Sequence, residues 1–293
     1  MHETKEIIKQ VRKIEIATKH LVDGIIAGNY HSIFRGQGIE FSEIRDYKEG
    51  DDIRAIDWKV TARFNHPFIK EFIEERDLRV YFVFDFSGSG SFGSLIEKRR
   101  KAIELTATLM FSAMRNNDNV GLFIFTDDVE RYIPARKGKR HVLKLISSLV
   151  MHEPASKKTD LNSSLAFVSN VIRKRSVIFI ISDFYSGDFM KPLSVLRNRH
   201  DVIAVKVNDR REETIPDIGL IQLEDEETGE QILVDTSDDE FRDNYARIMK
   251  SNRESTDRLL KKHKIGAVSI TTDEPYEIPL RKFFRTRQRK GIG

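Results

Sequence analysis

The segment Asp85-Phe86-Ser87-Gly88-Ser89 places one carboxylate and two hydroxyls at every second position. In extended backbone this spacing turns the three side chains to the same side. Oxygen ligands of this kind suit a hard cation, and Mg²⁺ keeps several waters because it demands octahedral geometry and loses water reluctantly. The sequence therefore predicts a site for Mg²⁺, or Mn²⁺, at Asp85, Ser87 and Ser89.

Such a site carries little negative charge for a dication. Asp85 would be the sole direct anion, so a bound ion would retain positive charge and one exchangeable position. A carboxylate from another molecule could complete the coordination shell at that position. We therefore expect a device for recognising a protein partner and no catalytic residue.

Two distant residues are candidates to complete the site. Thr159 precedes a predicted helix, and Asp183 follows a predicted strand. Both fall at the sheet edge that holds Asp85, where open α/β sheets bind their ligands. Taken singly, each is an ordinary helix-capping feature, and Ser163 or Ser164 could replace Thr159. Combined with Asp-x-Ser-x-Ser, the two residues favour a metal site.

Alternating strand and helix patterns must position these residues. The run 79–85 is almost continuously β-prone, which is typical of a strand buried on both faces. Helical periodicity follows over 95–115, and strand composition over 119–126. The alternation continues with helices near 138–152, 161–173 and 188–199 and with strands over 176–182 and 201–207. This order predicts an α/β protein with a doubly wound, mostly parallel sheet.

The flanking regions predict further elements. Apolar residues at helical spacing predict an amphipathic helix over 3–27, and mixed aromatic and charged residues predict short strands and turns over 32–77. After the sheet, we expect a hairpin over 219–234, a long helix opened by the capping box at 237–240 and a last strand over 266–270. The resulting division is an extension over 1–77, the α/β domain over 78–275 and a basic carboxyl-terminal tail over 276–293.

The composition excludes several classes of protein. The 293 residues are 39% hydrophobic and 33% charged, which describes a globular chain. No apolar run reaches the roughly 18 to 20 residues that a membrane span needs, so we expect a cytoplasmic protein. Zero cysteines exclude disulfides, thiolate catalysis and cysteine metal sites. A serine-hydrolase elbow, a His-x-x-x-His pair and a P-loop are also missing from the sequence, so no enzymatic activity is expected.

Two alternative functions remain open. Residues 88–93 spell the G-x-G-x-x-G of dinucleotide-binding oxidoreductases. Against that alternative, Asp85 would repel the pyrophosphate, and Asp127, the next acid after a strand, lies about 39 residues beyond Gly88 instead of about 20. The second alternative is nonspecific nucleic-acid binding through residues 281–293, which hold six basic residues, two phenylalanines and no acid. A solvated terminus is the simpler interpretation of that tail.

The candidate residues resemble two known families. Asp85, Ser87, Ser89, Thr159 and Asp183 match in chain order the metal-ion-dependent adhesion site of the von Willebrand factor type A fold. The preceding segment is similar to the signature of the bacterial domain of unknown function 58, and this resemblance spans roughly residues 30–270. Its matching stretches are Gly36-Gln37-Gly38-Ile39-Glu40-Phe41, Arg45-Asp46-Tyr47, Gly50-Asp51-Asp52-Ile53-Arg54-Ala55-Ile56-Asp57-Trp58, Ala62-Arg63, Lys70-Glu71-Phe72 and Glu75-Arg76.

These resemblances imply roles for the residues and a partner for the protein. In the adhesion site, Thr159 would supply a hydroxyl directly or through water, and Asp183 would orient a bound water. Members of the second family work with MoxR-type AAA+ ATPases as adaptors in chaperone-like systems. The resemblance thus implies that such an ATPase, or its client, offers an acidic residue to the metal.

Overall fold

The structure is a computed structural model that describes residues 11–16, 39–64, 66–74, 78–87, 95–224 and 230–289. The strands are β1 (Ile39–Asp46), β2 (Phe68–Glu74), β3 (Arg79–Asp85), β4 (Asn119–Phe125), β5 (Val129–Arg136), β6 (Val177–Ser182), β7 (Asp201–Asn208), β8 (Leu220–Glu224), β9 (Gln231–Asp235) and β10 (Gly266–Thr271). The helices are α1 (Trp58–Phe64), α2 (Leu95–Arg115), α3 (Lys139–Val150), α4 (Leu161–Val171), α5 (Met190–Arg199), α6 (Asp239–Lys262) and α7 (Glu277–Arg289).

A six-stranded sheet with the order β10-β7-β6-β3-β4-β5 forms the centre of the molecule. Its neighbouring strands run parallel, except that β5 is antiparallel to β4. The central strand β3 is buried from Val80 to Phe84 because helices cover both faces of the sheet. The predicted α/β class with a doubly wound, mostly parallel sheet is confirmed, and the topology is that of a von Willebrand factor type A-like fold.

Two hydrophobic cores lie on the two faces of the sheet. On one face, Phe82 and Phe84 pack with residues of α2, α3 and α7. On the other face, Tyr81 and Val83 pack with residues of α4, α5 and α6. Side chains of a strand point alternately to opposite faces, so one apolar run supplies both cores. Both layers of helices therefore hold the carboxyl-terminal edge of the sheet in place.

Several elements differ from the sequence predictions. The strand β5 was not predicted, because its exposed charges and Pro134 give it the composition of a loop. The structure describes residues 11–16 of the predicted helix 3–27 as helical, and the rest of that segment lies outside the described residues. The predicted short strands over 32–77 correspond to β1 and β2, an antiparallel pair outside the central sheet.

The basic carboxyl-terminal tail differs most from its sequence prediction. A solvated terminus was expected, but residues 277–289 form α7, in which Phe284 is 0% exposed. Arg287 pairs with Asp201 at the start of β7, with 2.6 Å between Nη2 and Oδ2. The expectation of a solvated terminus was wrong because the tail carries apolar side chains on one helical face and buries them in the first core.

Among the helices in the described ranges, none combines the length and the apolar character needed to cross a membrane.

Candidate metal centre

Asp85 is the last residue of β3 and lies between the ends of β4 and β6 in the sheet. Its Oδ1 accepts hydrogen bonds from the backbone N–H of Ser87 at 3.0 Å and from the Ser87 hydroxyl at 2.6 Å. Its Oδ2 accepts a hydrogen bond from the hydroxyl of Ser182, the last residue of β6, at 2.7 Å. The structure thus brings two hydroxyls onto one carboxylate, one predicted and one not.

The Asp85 carboxyl group has a strongly perturbed pKa. Burial and the nearby negative charge of Asp183 raise this pKa to about 6, while the hydrogen bonds from Ser87 and Ser182 lower it. The surroundings of Asp85 therefore disfavour its ionised form, although that form predominates at neutral pH. A cation bound beside it would relieve both burial and repulsion, because it favours the charged form of the carboxylate.

A buried salt bridge borders Asp85. Lys98, in the first turn of α2, places its Nζ 3.0 Å from Oδ2 of Asp183 and 2.9 Å from Oε1 of Glu212. Burial lowers the pKa of Lys98, but the two carboxylates outweigh it and raise that pKa above its ordinary value. Burial in turn raises the pKa of Glu212. The predicted residue Asp183 therefore already faces a fixed positive charge.

The other oxygen of Asp183 is also engaged. Its Oδ1 accepts a hydrogen bond from the backbone N–H of Tyr185 at 3.0 Å. Lys98 thus contacts one oxygen of Asp183 and a backbone amide contacts the other. The arrangement fits the predicted role of orienting a water better than that of a direct ligand.

A small cavity lies among these groups, with about 40 Å³ of space. Its lining residues are Phe84, Asp85, Ser87, Lys98, Arg99, Ala102, Ile181, Ser182, Asp183 and Val207. A water needs at least about 10 to 15 Å³ of such space, whereas ligand pockets for larger molecules run to about 300 Å³ or more. A cavity of this size suits an ion with one or two waters.

Thr159 reaches the same edge of the sheet through the end of β4. The backbone N–H of its neighbour Asp160 donates to the carbonyl of Thr126, the residue after β4, at 3.1 Å. The Thr159 hydroxyl is buried, and no group in the described part of the chain forms a hydrogen bond with it. Buried polar groups nearly always have partners, so this hydroxyl is suited to a bound ion or an ion-bound water.

The structure also distinguishes the two serines that could replace Thr159. Ser163 caps α4, because its backbone N–H and hydroxyl both donate to Asp160 at 3.0 and 2.7 Å. The Ser164 hydroxyl is buried and, like that of Thr159, has no hydrogen-bond partner within the described ranges. Ser164 is therefore the better reserve ligand of the two.

Ser89 and the G-x-G-x-x-G segment 88–93 lie outside the described residues. Within the ranges that the structure describes, no group of three or more histidine, aspartate and glutamate side chains converges as a metal site. A cation beside Asp85 would therefore need hydroxyls and water in its coordination shell. The oxygen-only site at Asp85, Ser87 and Ser89 stays a prediction.

A second polar cluster lies on the far side of Phe86. Glu130 accepts hydrogen bonds from the Thr126 hydroxyl at 2.5 Å and from the backbone N–H of Ala155 at 2.9 Å. His152 lies 2.7 Å from Glu130 and packs edge-on against the Phe86 ring. Burial raises the pKa of Glu130, but these hydrogen bonds lower it by more. The pKa is therefore below its ordinary value. This cluster satisfies its own groups and fixes the wall beside Asp85.

Sequence reasoning missed Lys98, Ser182 and Glu212. Lys98 contacts Asp183 across 85 positions of chain and Glu212 across 114. None of the three residues belongs to a local motif, and Lys98 reads as an ordinary charged residue of an amphipathic helix. The sole signal was the position of Ser182 and Asp183 at the end of a buried strand, where ligands of open α/β sheets are bound.

Comparison with known proteins gives one family and several relatives. The family model described as "Protein of unknown function DUF58" matches residues 43–255. Uncharacterized proteins of Mycobacterium tuberculosis and Mycobacterium bovis are 31% identical to this chain over 287 residues, which covers 96% of this chain and 90% of each relative.

Solved structures provide weaker matches. The conserved hypothetical protein BatB from Bacteroides thetaiotaomicron matches with a TM-score of 0.47 and 15% identity, over 72% of this chain and 99% of that protein. Proximal thread matrix protein 1 from the mussel byssus, solved with a zinc-occupied MIDAS motif, matches with a TM-score of 0.36 and 16% identity, over 45% of this chain and 38% of that one. Because both TM-scores are below 0.5, the fold assignment rests on the strand order of the sheet itself.

Proposed function

The chain belongs to the DUF58 family, and from that premise we propose that it is a non-enzymatic, metal-dependent module for protein–protein interaction. Mg²⁺ or Mn²⁺ would be held by the carboxylate of Asp85 and the hydroxyls of Ser87 and Ser89. Thr159 and Asp183 would contribute through water. The bound cation would present an open position to an acidic residue of a partner.

The observation that carries the proposal is a buried carboxylate, Asp85, whose charged form is disfavoured, beside a cavity large enough for a cation. Asp85 has a pKa of about 6, raised by burial and by Asp183, and the adjoining space is about 40 Å³. The hydroxyl of Thr159, at the same sheet edge, is buried without a hydrogen-bond partner in the described residues. A dication would satisfy all three features, because it stabilises the charge and accepts hydroxyl and water ligands.

The charges around the cavity support an incomplete coordination shell. Three carboxylates, those of Asp85, Asp183 and Glu212, meet the cations of Lys98 and Arg99. These five side chains carry a net charge of −1 when all are ionised. A dication changes that charge to +1, which attracts a further carboxylate. The site is thus suited to binding an acid from outside.

The proposed partner is a MoxR-type AAA+ ATPase or its client, in the cytoplasm, with this chain acting as an adaptor in a chaperone-like system. Support for this partner comes from the family resemblance of the sequence, and the charge of the occupied site adds the requirement for an acidic residue on the partner. In this proposal the protein's own part is recognition of the partner.

A thermal unfolding series with Mg²⁺, Mn²⁺ and EDTA tests the metal site. We expect both metals to raise the melting temperature of the wild type and of the control Asp243→Ala, which removes an exposed carboxylate on α6. Asp85→Ala should fold but lose this response, because binding of ligand to the native state is what stabilises it. An equal metal response in Asp85→Ala and wild type would contradict the proposal.

A further inference from the structure

Two blocks of opposite charge lie in the sequence apart from the proposed metal ligands. Residues 213–241 contain eleven acids and no Lys, Arg or His. Residues 131–152 contain six Lys and Arg and no acid. Charge segregated into blocks of this length commonly marks a surface for binding another charged surface.

The acidic block carries the hairpin β8–β9, which forms a two-stranded sheet of its own. Residues 220–223 and 231–235 belong to neither of the two hydrophobic cores in the described chain. In the hairpin register Leu220 pairs with Asp235 and Gln222 with Leu233, so the two leucines share one face. They are 68% and 71% exposed.

Acids surround these exposed leucines. Asp217, Glu230 and Asp235 are exposed beside them, and Ile218 adds a further exposed aliphatic side chain. An isolated two-stranded hairpin is only marginally stable in water. An apolar centre with a charged rim is the usual anatomy of a protein-binding surface. We refer to Asp217, Ile218, Leu220, Glu230, Leu233 and Asp235 as the acidic hairpin surface.

The basic block forms the opposite edge of the central sheet. It spans the edge strand β5 and the first turns of α3. Its Lys and Arg side chains are exposed, and Lys139 among them pairs with Glu15. Tyr132 on the same strand is 37% exposed. We refer to Arg131, Tyr132, Arg136, Lys137, Arg140 and Lys144 as the basic edge surface. The basic edge surface is complementary in charge to the acidic hairpin surface, and its aromatic side chain lies among positive charges.

The topology keeps the two surfaces apart within one chain. The hairpin follows β7 and leads into α6, which contributes to the core beside β7 and β10. Four strand spacings, about 19 Å, separate β7 from β5. The acidic hairpin surface and the basic edge surface can meet between copies, and the contact is head to tail when the two surfaces of one copy bind two different copies.

We propose that the acidic hairpin surface of one copy binds the basic edge surface of a second copy, so that the protein assembles head to tail. Side chains form the contact, because Pro134 removes a hydrogen-bond donor from β5 and edge charges oppose strand addition. The leucines supply apolar contact, and the charges supply orientation and rate. This assembly is independent of the metal centre.

Molar mass measured by light scattering against concentration tests the assembly. In low salt, we expect the mass of the nuclease-treated wild type to rise with concentration beyond that of one chain. Raising salt from about 0.05 to about 0.5 M should weaken the association about tenfold or more, because the charges are then screened. Leu220→Ser/Leu233→Ser should also remove it, without a change in melting temperature, since both side chains are exposed.

Charge reversal distinguishes a head-to-tail contact from other associations. Asp217→Lys/Glu230→Lys and Arg136→Glu/Arg140→Glu should each be monomeric alone. Their equimolar mixture should associate again, because the intact basic surface of the first variant binds the intact acidic surface of the second, and the two reversed surfaces also carry opposite charges. The control Arg173→Glu/Lys191→Glu changes exposed cations outside both surfaces and should associate like the wild type.

Three results would overturn the proposal. The first is a wild type that stays monomeric in low salt at every concentration. The second is association that survives both charge reversals. The third is association that disappears on nuclease treatment, which would assign the basic edge surface to nucleic acid instead of to a second copy.

Discussion

The two ends of the central sheet both bury charge, but they balance it differently. At the amino-terminal end, Arg287 and Asp201 form one direct pair, at 2.6 Å, with both side chains about nine-tenths buried. At the carboxyl-terminal end, Asp183 and Glu212 share Lys98, Asp85 and Arg99 line the same cavity, and the pKa of Asp85 is raised to about 6. A balanced pair holds elements together. An unbalanced cluster is retained at a cost in stability, which is typical of a binding site.

The largest effect is expected from unbalancing the amino-terminal pair. Arg287→Met leaves Asp201 buried without its cation, and loss of one partner of a buried pair costs about 3 to 5 kcal/mol. We expect the free energy of unfolding in urea to fall by that amount, with α7 detaching first. Arg285→Met, at an exposed position of the same helix, should change it by less than about 0.5 kcal/mol.

The double variant Arg287→Met/Asp201→Asn tests whether the loss of stability comes from the buried carboxylate of Asp201. Removing both charges should recover most of the lost stability, because the cost comes from the unpaired carboxylate. Failure to recover would mean that Arg287 acts through packing against Phe283, over whose ring its guanidinium lies, and that the two ends of the sheet do not differ in charge balance.

At the other end of the sheet, removing the charge of Asp85 is expected to raise the free energy of unfolding. Its folded pKa of about 6 lies above the ordinary aspartate value of 3.8, so the folded state binds the proton more tightly than the unfolded state. The metal-free protein should therefore lose stability as pH rises from about 4 to about 6. Asp85→Asn should remove this dependence and be about 1 to 3 kcal/mol more stable at neutral pH.

The affinity for Mg²⁺ should rise with pH as Asp85 loses its proton, whereas the stability of the metal-free protein falls. Protons compete with the cation for Asp85, so the Mg²⁺ affinity should rise about tenfold per pH unit up to about pH 6 and then level off. Calorimetric titration across that range measures it. An affinity that is flat below pH 6 would separate the metal from Asp85 and contradict the placement of the site.

A smaller effect is expected from removing the cation inside the cluster. Lys98→Gln deletes the ammonium that contacts Asp183 and Glu212, so the net charge of the five side chains becomes −2. We expect the Mg²⁺ affinity to rise about tenfold, since one more unpaired carboxylate favours a dication. Arg100→Gln, two residues along the helix and facing solvent, serves as the control. An unchanged affinity in Lys98→Gln would show that Lys98 only ties α2 to the turn after β7.

The elements buried on both faces were predictable from composition alone. The strands β3, β4, β6 and β7 were predicted within about one residue, because a strand covered by helices on both sides must be apolar at nearly every position. The edge strand β5 and the short helix α1 were missed, since an exposed element carries no comparable pattern. The tail helix α7 was missed because its many cations hid one apolar stripe.

The candidate site divides in the same way. Period-two spacing was sufficient to single out Asp85 and Ser87, and the structure joins them directly. Thr159 and Asp183 were predicted to reach the same edge, and the chain does bring both there. Lys98 and Glu212 had no local signal, because their chemistry arises only from contact with each other and with Asp183.

The sequence by itself determined the layered α/β fold and the oxygen groups at the end of β3, because burial periodicity and strand pleat act on neighbouring residues. The tertiary structure alone decided the charge balance of that edge and the position of the acidic and basic surfaces. It also buried the hydroxyls of Thr159 and Ser164, which have no hydrogen-bond partner among the described residues. Those properties depend on distances between residues far apart in the chain, and electrostatic energy and desolvation are set by such distances and not by sequence order.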